Sequence, residues 1–159
     1  MDDVVVRAMT AGDRSALLEL YAEVLQDGGA APLEGLAVEA AFERGWLTDR
    51  DVFVVSVRGE TVATFFVRAN FPAFAGHIAQ SGYIVARRAR RQGLGGRMLQ
   101  ESMARAEALG FTAMMFNLVF ESNPSRRLYE SEGFEIVGRV PKARGDEDGL
   151  IYWRALTPA

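Results

Sequence analysis

Apolar and polar positions along this chain change period several times, and each change marks an element. Val4, Val5 and Val6 before Arg7 form a β-branched run that predicts a strand. Residues 10–13 supply capping side chains to an amphipathic helix over 15–25, whose apolar positions are Leu17, Leu18, Leu20, Tyr21, Val24 and Leu25. A weaker second helix is predicted over 33–46. Residues 51–57 and 61–69 are β-rich runs separated by Arg58-Gly59-Glu60, the spacing of an antiparallel hairpin. After a break at 71–76, a strand over 77–85 runs into an arginine-rich loop. Gly93, Gly95 and Gly96 then open a helix that extends to Leu109 and stops at Gly110. A strand over 111–120 follows, then a short helix capped by Ser122 or Asn123, with Pro124 in its first turn and Gly133 as its stop. Strands over 134–140 and 150–156 end the chain, joined by a polar connection over 144–149. The order βααβββαβαββ is α+β in character, with helices packed on a mixed sheet.

Composition narrows the function classes. At 159 residues and 49% hydrophobic content, the chain is expected to form one domain, 1–159, around a sizeable core. No apolar run reaches the length of a membrane span, and Met1-Asp2-Asp3 is acidic where a secretory leader is basic. The absence of cysteine excludes disulfides, thiolate metal sites and a cysteine nucleophile. A cytoplasmic protein without a metal is expected. The net charge of −3 argues against nucleic acid as a partner. Positive charge is nevertheless concentrated at Arg87, Arg88, Arg90, Arg91 and Arg97, which makes a local anion site plausible.

That cluster lies between the strand ending at Val85 and the helix opened by Gly93. Backbone N–H groups at a helix start lack intrahelical acceptors, the helix dipole adds positive character, and glycine lets the backbone approach phosphate oxygens. The glycines also serve tight strand-to-helix packing, a purely structural alternative. Two common phosphate motifs are absent: the one lysine, Lys142, is remote from the glycines, and no Gly-x-Gly-x-x-Gly occurs.

Arg90-Arg91-Gln92-Gly93-Leu94-Gly95 resembles the Arg/Gln-x-x-Gly-x-Gly/Ala signature of the GNAT superfamily of acetyl-CoA-dependent N-acetyltransferases. The segment from Asn123 to Phe134 resembles the second signature of that family, Asn-x-x-(Ala/Ser)-x-x-Leu-Tyr-x-x-x-Gly-Phe. The order of elements from Val4 to Leu156 is similar to the family's fold. The resemblance implies a three-layer acyl-CoA N-acyltransferase fold, with a mostly antiparallel sheet of about seven strands and helices on both faces. It further implies that Ile84 and Val85 meet the thioester and pantetheine arm, and that the backbone from Arg90 through Arg91, Gln92, Gly93, Leu94 and Gly95 to Gly96 holds the pyrophosphate. Asn123 would bond the pantetheine arm, Leu128 would line the acyl-CoA channel, and Tyr129 would offer its hydroxyl to the leaving sulfur. Packing alone would account for Tyr129 equally well outside this motif, and helix capping for Asn123.

Residues 113–123 and 134–141 resemble a GNAT branch that includes the yeast acetyltransferase acting on the proline analogue azetidine-2-carboxylate. In that branch the asparagine matching Asn117 contacts substrate. As a buried strand asparagine, Asn117 would need a bonding partner, which a neighbouring loop could equally supply. The chain departs from the branch in carrying Tyr129 where tryptophan is frequent and Ala86 where proline is. Ser81 and Tyr83 lie on the strand expected to border the acceptor amine, and Phe71 to Phe74 would form a loop on that side. The general base stays open among Glu121, His77 and Glu101. The expected activity is direct acetyl transfer from acetyl-CoA to a small-molecule or amino-acid amine. The alternative is a catalytically silent acyl-CoA-binding domain. Exposed strand edges leave a homodimer open.

Overall fold

A computed structural model describes residues 3–28 and 35–157. Seven strands lie in the order β1-β2-β3-β4-β5-β7-β6, and neighbouring strands are antiparallel except where β4 meets β5; for β3 and β4 the sense follows from the bonds of Asn70 N–H to Ile78 O and Ala86 N–H to Val62 O. Backbone contacts group the chain into two compact units, Met1–Arg68 with Gly82–Ser102 and Ala69–Ser81 with Met103–Ala159. Strand β4 (Ile78–Val85) and helix α3 (Leu94–Ala108) have residues in both.

In the first unit, β1 (Val4–Ala8) pairs with β2 (Asp51–Val57), and β2 with β3 (Glu60–Ala69). The hairpin turn places Arg58 at φ 52° and Gly59 at φ 78°, the two consecutive left-handed residues that match the twist of paired strands. Val54, Val55, Phe65 and Val67 are fully buried, each contributing about 1.5–3 kcal/mol by leaving water. Helix α1 (Arg14–Gln26) buries Leu17, Leu20 and Tyr21. The turn that leads into it is held by Asp13, which takes two hydrogen bonds from Arg7, at 2.7 and 2.8 Å, and one from the Thr10 backbone at 2.8 Å.

The expected second helix is shorter than the pattern suggested. Helix α2 spans Val38–Phe42 and passes into a π turn, Glu43–Leu47; the expected start at Leu33 lies outside the described residues. The wider turn buries Trp46, whose indole N–H donates to Thr64 Oγ1 at 3.2 Å and whose ring meets Phe66 edge-on at 4.9 Å. Gly82 of β4 lies against this pair: a Cβ there would sit 2.6 Å from the Phe66 ring and 3.3 Å from Trp46.

In the second unit, β4 pairs in parallel with β5 (Ala113–Phe120) through Ile78 with Ala113 and Ala79 with Met114. Helix α4 is Arg126–Ser131, β6 is Glu135–Arg144 and β7 is Glu147–Ala155. The last two strands correct the expected polar connection over 144–149. They form a tight hairpin whose turn carries Gly145 at φ 60°, because charged residues tolerated on an exposed edge keep extending the ladder. The capping expectation is corrected as well. Ser125 is the N-cap of α4, Pro124 precedes the helix, and the Asn123 side chain closes a turn by accepting from the Ser125 N–H at 2.8 Å.

Candidate acyl-transfer site

The first unit carries the glycine-opened loop. Arg91 has φ 62° and Gly93 φ 79°, so the chain turns through two left-handed residues before Leu94 starts α3. The first bond from α3 back four residues is Arg97 N–H to Gly93 O, 3.4 Å. The N–H groups of Leu94, Gly95 and Gly96 therefore precede the hydrogen-bonded ladder. Leu94 is buried and anchors the turn, whereas Gln92, Gly93 and Gly95 are exposed. An exposed turn at Gln92 and Gly93, leading into unladdered N–H groups at the positive end of a 15-residue helix, is chemically suited to a diphosphate.

The arginines do not form the free cationic rim that the cluster suggested. Arg87 and Arg90 both pair with Asp27, Arg90 at 3.1 Å; Arg88 pairs with Glu60 at 2.7 Å and Arg97 with Glu101 at 3.2 Å. Glu23 accepts the Arg87 backbone N–H at 2.8 Å, which ties the loop to α1. The carboxylate just past α1 and those on β3 and α3 thus offset the charge of their partners, and Arg91 enters no ion pair among the described residues. Next to the loop, Ile84 is buried and Val85 is half-buried, with the Val85 carbonyl accepting from Arg90 Nε at 3.1 Å. Tyr83 shares a 2.7 Å hydrogen bond with Ser102 Oγ. Because Ser102 itself donates to Leu99 O at 2.8 Å, the phenol is the donor, and its hydroxyl is directed at α3.

The second unit holds the remaining expected site residues. Phe116, Phe134 and Tyr152 surround the Tyr129 ring, with centroids 4.6, 6.1 and 5.7 Å away. Burial raises the Tyr129 pKa above the ordinary phenol value, opposed in part by a hydrogen bond with Ser125. Leu128 is half-buried on the same helix. Tyr152, which the sequence did not single out, is wholly buried and positions this helix. Its hydroxyl accepts from Arg126 Nε at 3.1 Å and donates to Glu130 at 2.8 Å. Its position between Ile151 and Trp153 in β7 carried no distinguishing signal.

Asn117 is exposed, which corrects the expectation of a buried strand amide. The ladder from β5 to β7 slips between Phe116 and Val119, so β5 carries one extra residue and Asn117 and Leu118 both turn outward. Gly149 makes room: a Cβ there would lie 2.3 Å from Leu118. The Asn117 amide is paired with that of Asn70. Ser81 is buried and bonded.

Glu121 is tied into a charged network at the end of β5. It accepts from Arg139 at 3.1 Å and from the Asp148 N–H at 3.2 Å, while Arg139 also pairs with Asp148 at 2.9 Å. Glu147 accepts the Ser122 N–H at 2.5 Å and pairs with Arg144 at 3.0 Å; hydrogen bonds from Ser122 and then Arg144 hold its pKa down to about 2. Glu121 and Asn123 nevertheless line one open cleft of about 310 Å³ with Arg126, Arg127 and Glu130. Of the other base candidates, His77 is exposed and Glu101 holds Arg97. No group of His, Cys, Asp and Glu among the described residues is arranged to hold a metal.

Residues 16–134 match the model of the acetyltransferase (GNAT) family. The chain belongs to the GNAT acetyltransferase family. Its fold is similar over 98% of its length, and 99% of the other chain, to that of a GCN5-related N-acetyltransferase from Kribbella flavida, with a TM-score of 0.88 and 25% identity. A phosphinothricin acetyltransferase from Sinorhizobium meliloti, solved in complex with AcCoA, shares the fold at a TM-score of 0.81 and 24% identity, covering 98% of this chain and 89% of that one. N-acetyltransferase aca1 of Schizosaccharomyces pombe is 30% identical over 111 residues, 64% of this chain. The chain spans about half, 53%, of the length of that curated relative. These likenesses establish the seven-stranded acyl-CoA N-acyltransferase fold. No helix among the described residues is long and apolar enough to cross a membrane.

Proposed function

We propose that this GNAT chain transfers an acetyl group from acetyl-CoA to an amine of a small molecule or amino acid, by direct attack without an acyl-enzyme intermediate. The observation that carries the reading is the exposed backbone turn through Arg91 and Gly93 into α3, which offers N–H donors where a diphosphate needs them. Arg90, Arg91, Gln92, Gly93, Leu94, Gly95 and Gly96 would hold the pyrophosphate, chiefly through main-chain groups. Ile84 and Val85 would meet the pantetheine and thioester, and Asn123 and Leu128 the pantetheine arm and acyl channel.

Acetyl-CoA, when bound, supplies an acyl group activated as a thioester. Val85 offers a backbone donor to the carbonyl oxygen, where negative charge grows as the C–N bond forms. Tyr129 delivers its proton to the sulfur as the C–S bond breaks, and burial suits it to the task by keeping the phenol protonated. Glu121 takes the proton that the amine loses, directly or through water. Asn117, Ser81 and Tyr83 are assigned to the acceptor, Tyr83 through its ring and backbone because its hydroxyl is engaged.

One observation favours a second reading, a silent acyl-CoA-binding domain: the candidate base Glu121 is already bonded to Arg139 and Asp148. Calorimetry with acetyl-CoA followed by thiol release across a panel of amines separates the two. Binding with amine-dependent release supports the enzyme. Binding with no release from any amine supports the silent domain, and absence of binding overturns both.

A further inference from the structure

Asp27, in the first unit, caps the end of helix α1 where a negative charge is least favourable, and that helix has no basic residue in its last turn. Its partners come instead from the segment that leads into the turn assigned to the diphosphate. One carboxylate oxygen takes Arg87, and the other takes Arg90 Nη2 at 3.1 Å. Hydrogen bonds from Arg87 first, and then from Arg90, hold the Asp27 carboxyl below its ordinary pKa against partial desolvation. One turn earlier on α1, Glu23 accepts the Arg87 backbone N–H at 2.8 Å, so Arg87 is tied to the helix by main chain as well as side chain. Arg90 is tied to it by its side chain, which is 40% exposed and bridges two groups: Asp27, and the Val85 carbonyl, which accepts from Arg90 Nε at 3.1 Å.

The bond to Val85 gives this bridge a bearing on the cofactor. Val85 ends β4, and the amide N–H groups of a pantetheine arm need an acceptor such as its carbonyl. In the arrangement seen here the carbonyl is engaged by the guanidinium, and the guanidinium by Asp27. We propose that Asp27 is a positioning residue for cofactor binding: it holds Arg90 across the Val85 carbonyl, and acetyl-CoA binds by drawing Arg90 from both partners to its diphosphate, which releases the carbonyl to the pantetheine arm. The inference rests on the acetyl-CoA reading of this turn. Arg90 exchanges a carboxylate for phosphate oxygens, so a charge-assisted bond is broken for each one made. The hold of Asp27 therefore subtracts from cofactor affinity, as any equilibrium that favours the arrangement to be left must do.

Calorimetry with acetyl-CoA on the full chain measures Kd for the wild type, Asp27→Asn, Arg90→Gln and the double variant. Asp27→Asn keeps the shape of the side chain and removes the charge that holds Arg90. Binding should then tighten about three- to fivefold, the scale of a surface ion pair. In the Arg90→Gln background there is no guanidinium to release, so the same substitution should tighten binding by no more than about 1.5-fold, a departure from additivity that marks the Asp27–Arg90 coupling. Unchanged or weaker binding in Asp27→Asn would show that Asp27 only braces the turn, and equal tightening in both backgrounds would show a general effect of charge; either result overturns the proposal. Thermal scans check that each variant folds, and Asp27→Ser repeats the cycle if the asparagine variant is unstable. A wild type that does not bind acetyl-CoA removes the acetyltransferase reading and this proposal together, whereas a wild type that binds but gives an additive cycle removes this proposal alone.

Discussion

Asn70 and Asn117 form a closed amide pair, each donating from Nδ2 to the other's Oδ1 at 2.7 Å. The pair joins the end of β3 to the bulge of β5. Each amide retains one N–H and one lone pair after making it, so bonding to Asn70 orients Asn117 without exhausting it. Under the proposed function, Asn117→Ala should raise the KM of the acceptor by more than that of acetyl-CoA. Asn70→Ala should act in the same direction, and the double variant should be non-additive, since the two share one interaction. Steady-state kinetics with both substrates varied checks this; a larger change in the acetyl-CoA constant would retire the acceptor role.

Gly93 has φ 79°, a conformation that costs a side-chain-bearing residue about 1–2 kcal/mol. Gly93→Val should distort the turn that presents the first N–H groups of α3, and acetyl-CoA should bind roughly tenfold more weakly by calorimetry. Unchanged affinity would remove this turn from the cofactor site.

Tyr129→Phe keeps the ring packing with Phe116 and Tyr152 but removes the proton. We expect kcat to fall by roughly 10²-fold with little change in acetyl-CoA affinity. Because burial raises the phenol pKa above its ordinary value near 10, Tyr129 should stay protonated across the neutral range. A loss of kcat on the alkaline side below pH 9 that disappears in the Phe variant would contradict that assignment.

The Asp13 carboxyl is held far below its ordinary pKa, first by its hydrogen bonds from Arg7 and then by the Thr10 backbone. A depressed carboxylate pKa stabilises the fold above the unfolded value near 4, and that stabilisation is lost progressively as pH falls toward the folded value. Asp13→Asn should therefore cost about 1–2 kcal/mol at pH 7, discounted for the half-exposed Arg7, with the gap to wild type narrowing steadily below pH 4. Denaturant unfolding at several pH values measures it. A gap that stays constant from pH 7 to pH 2 would mean that the ion pair contributes nothing.

Gly82→Ala would place a methyl 2.6 Å from the Phe66 ring, inside any real contact distance. Overpacking of this kind costs about 1–3 kcal/mol, so the thermal midpoint should drop by several degrees. An unchanged midpoint would show that Phe66 and Trp46 shift freely.

The sequence was informative wherever a local rule governs the outcome. The hairpin at Arg58-Gly59, the glycine-opened start of α3 and the run of strands all follow from period and turn chemistry, which act over a few residues. The two signatures drew attention to the turn at Arg91 and Gly93 and to Tyr129 because their residues are contiguous. The pattern misread the end of β6 and start of β7, since the exposed edge strand β6 accepts Arg144, and β7 carries Glu147 opposite it, without an apolar signature. It also missed that α4 begins at Arg126, after a turn closed by Asn123.

What the sequence determined by itself was therefore the order of elements, the family and the main-chain turn assigned to the phosphates. Only tertiary structure decided that Arg87, Arg88, Arg90 and Arg97 near that turn are neutralised, through Asp27, Glu60 and Glu101; Asp27 lies 60 residues from Arg87 in the chain. It also turned Asn117 outward on a bulge against Asn70, 47 residues away, and left the buried Nε of Arg50 without a hydrogen-bond partner among the described residues. A charge, an amide or a guanidinium declares its type in the sequence, but its energy depends on which group stands opposite it. Those partners are brought together by the sheet and the helices, at separations that no local period encodes.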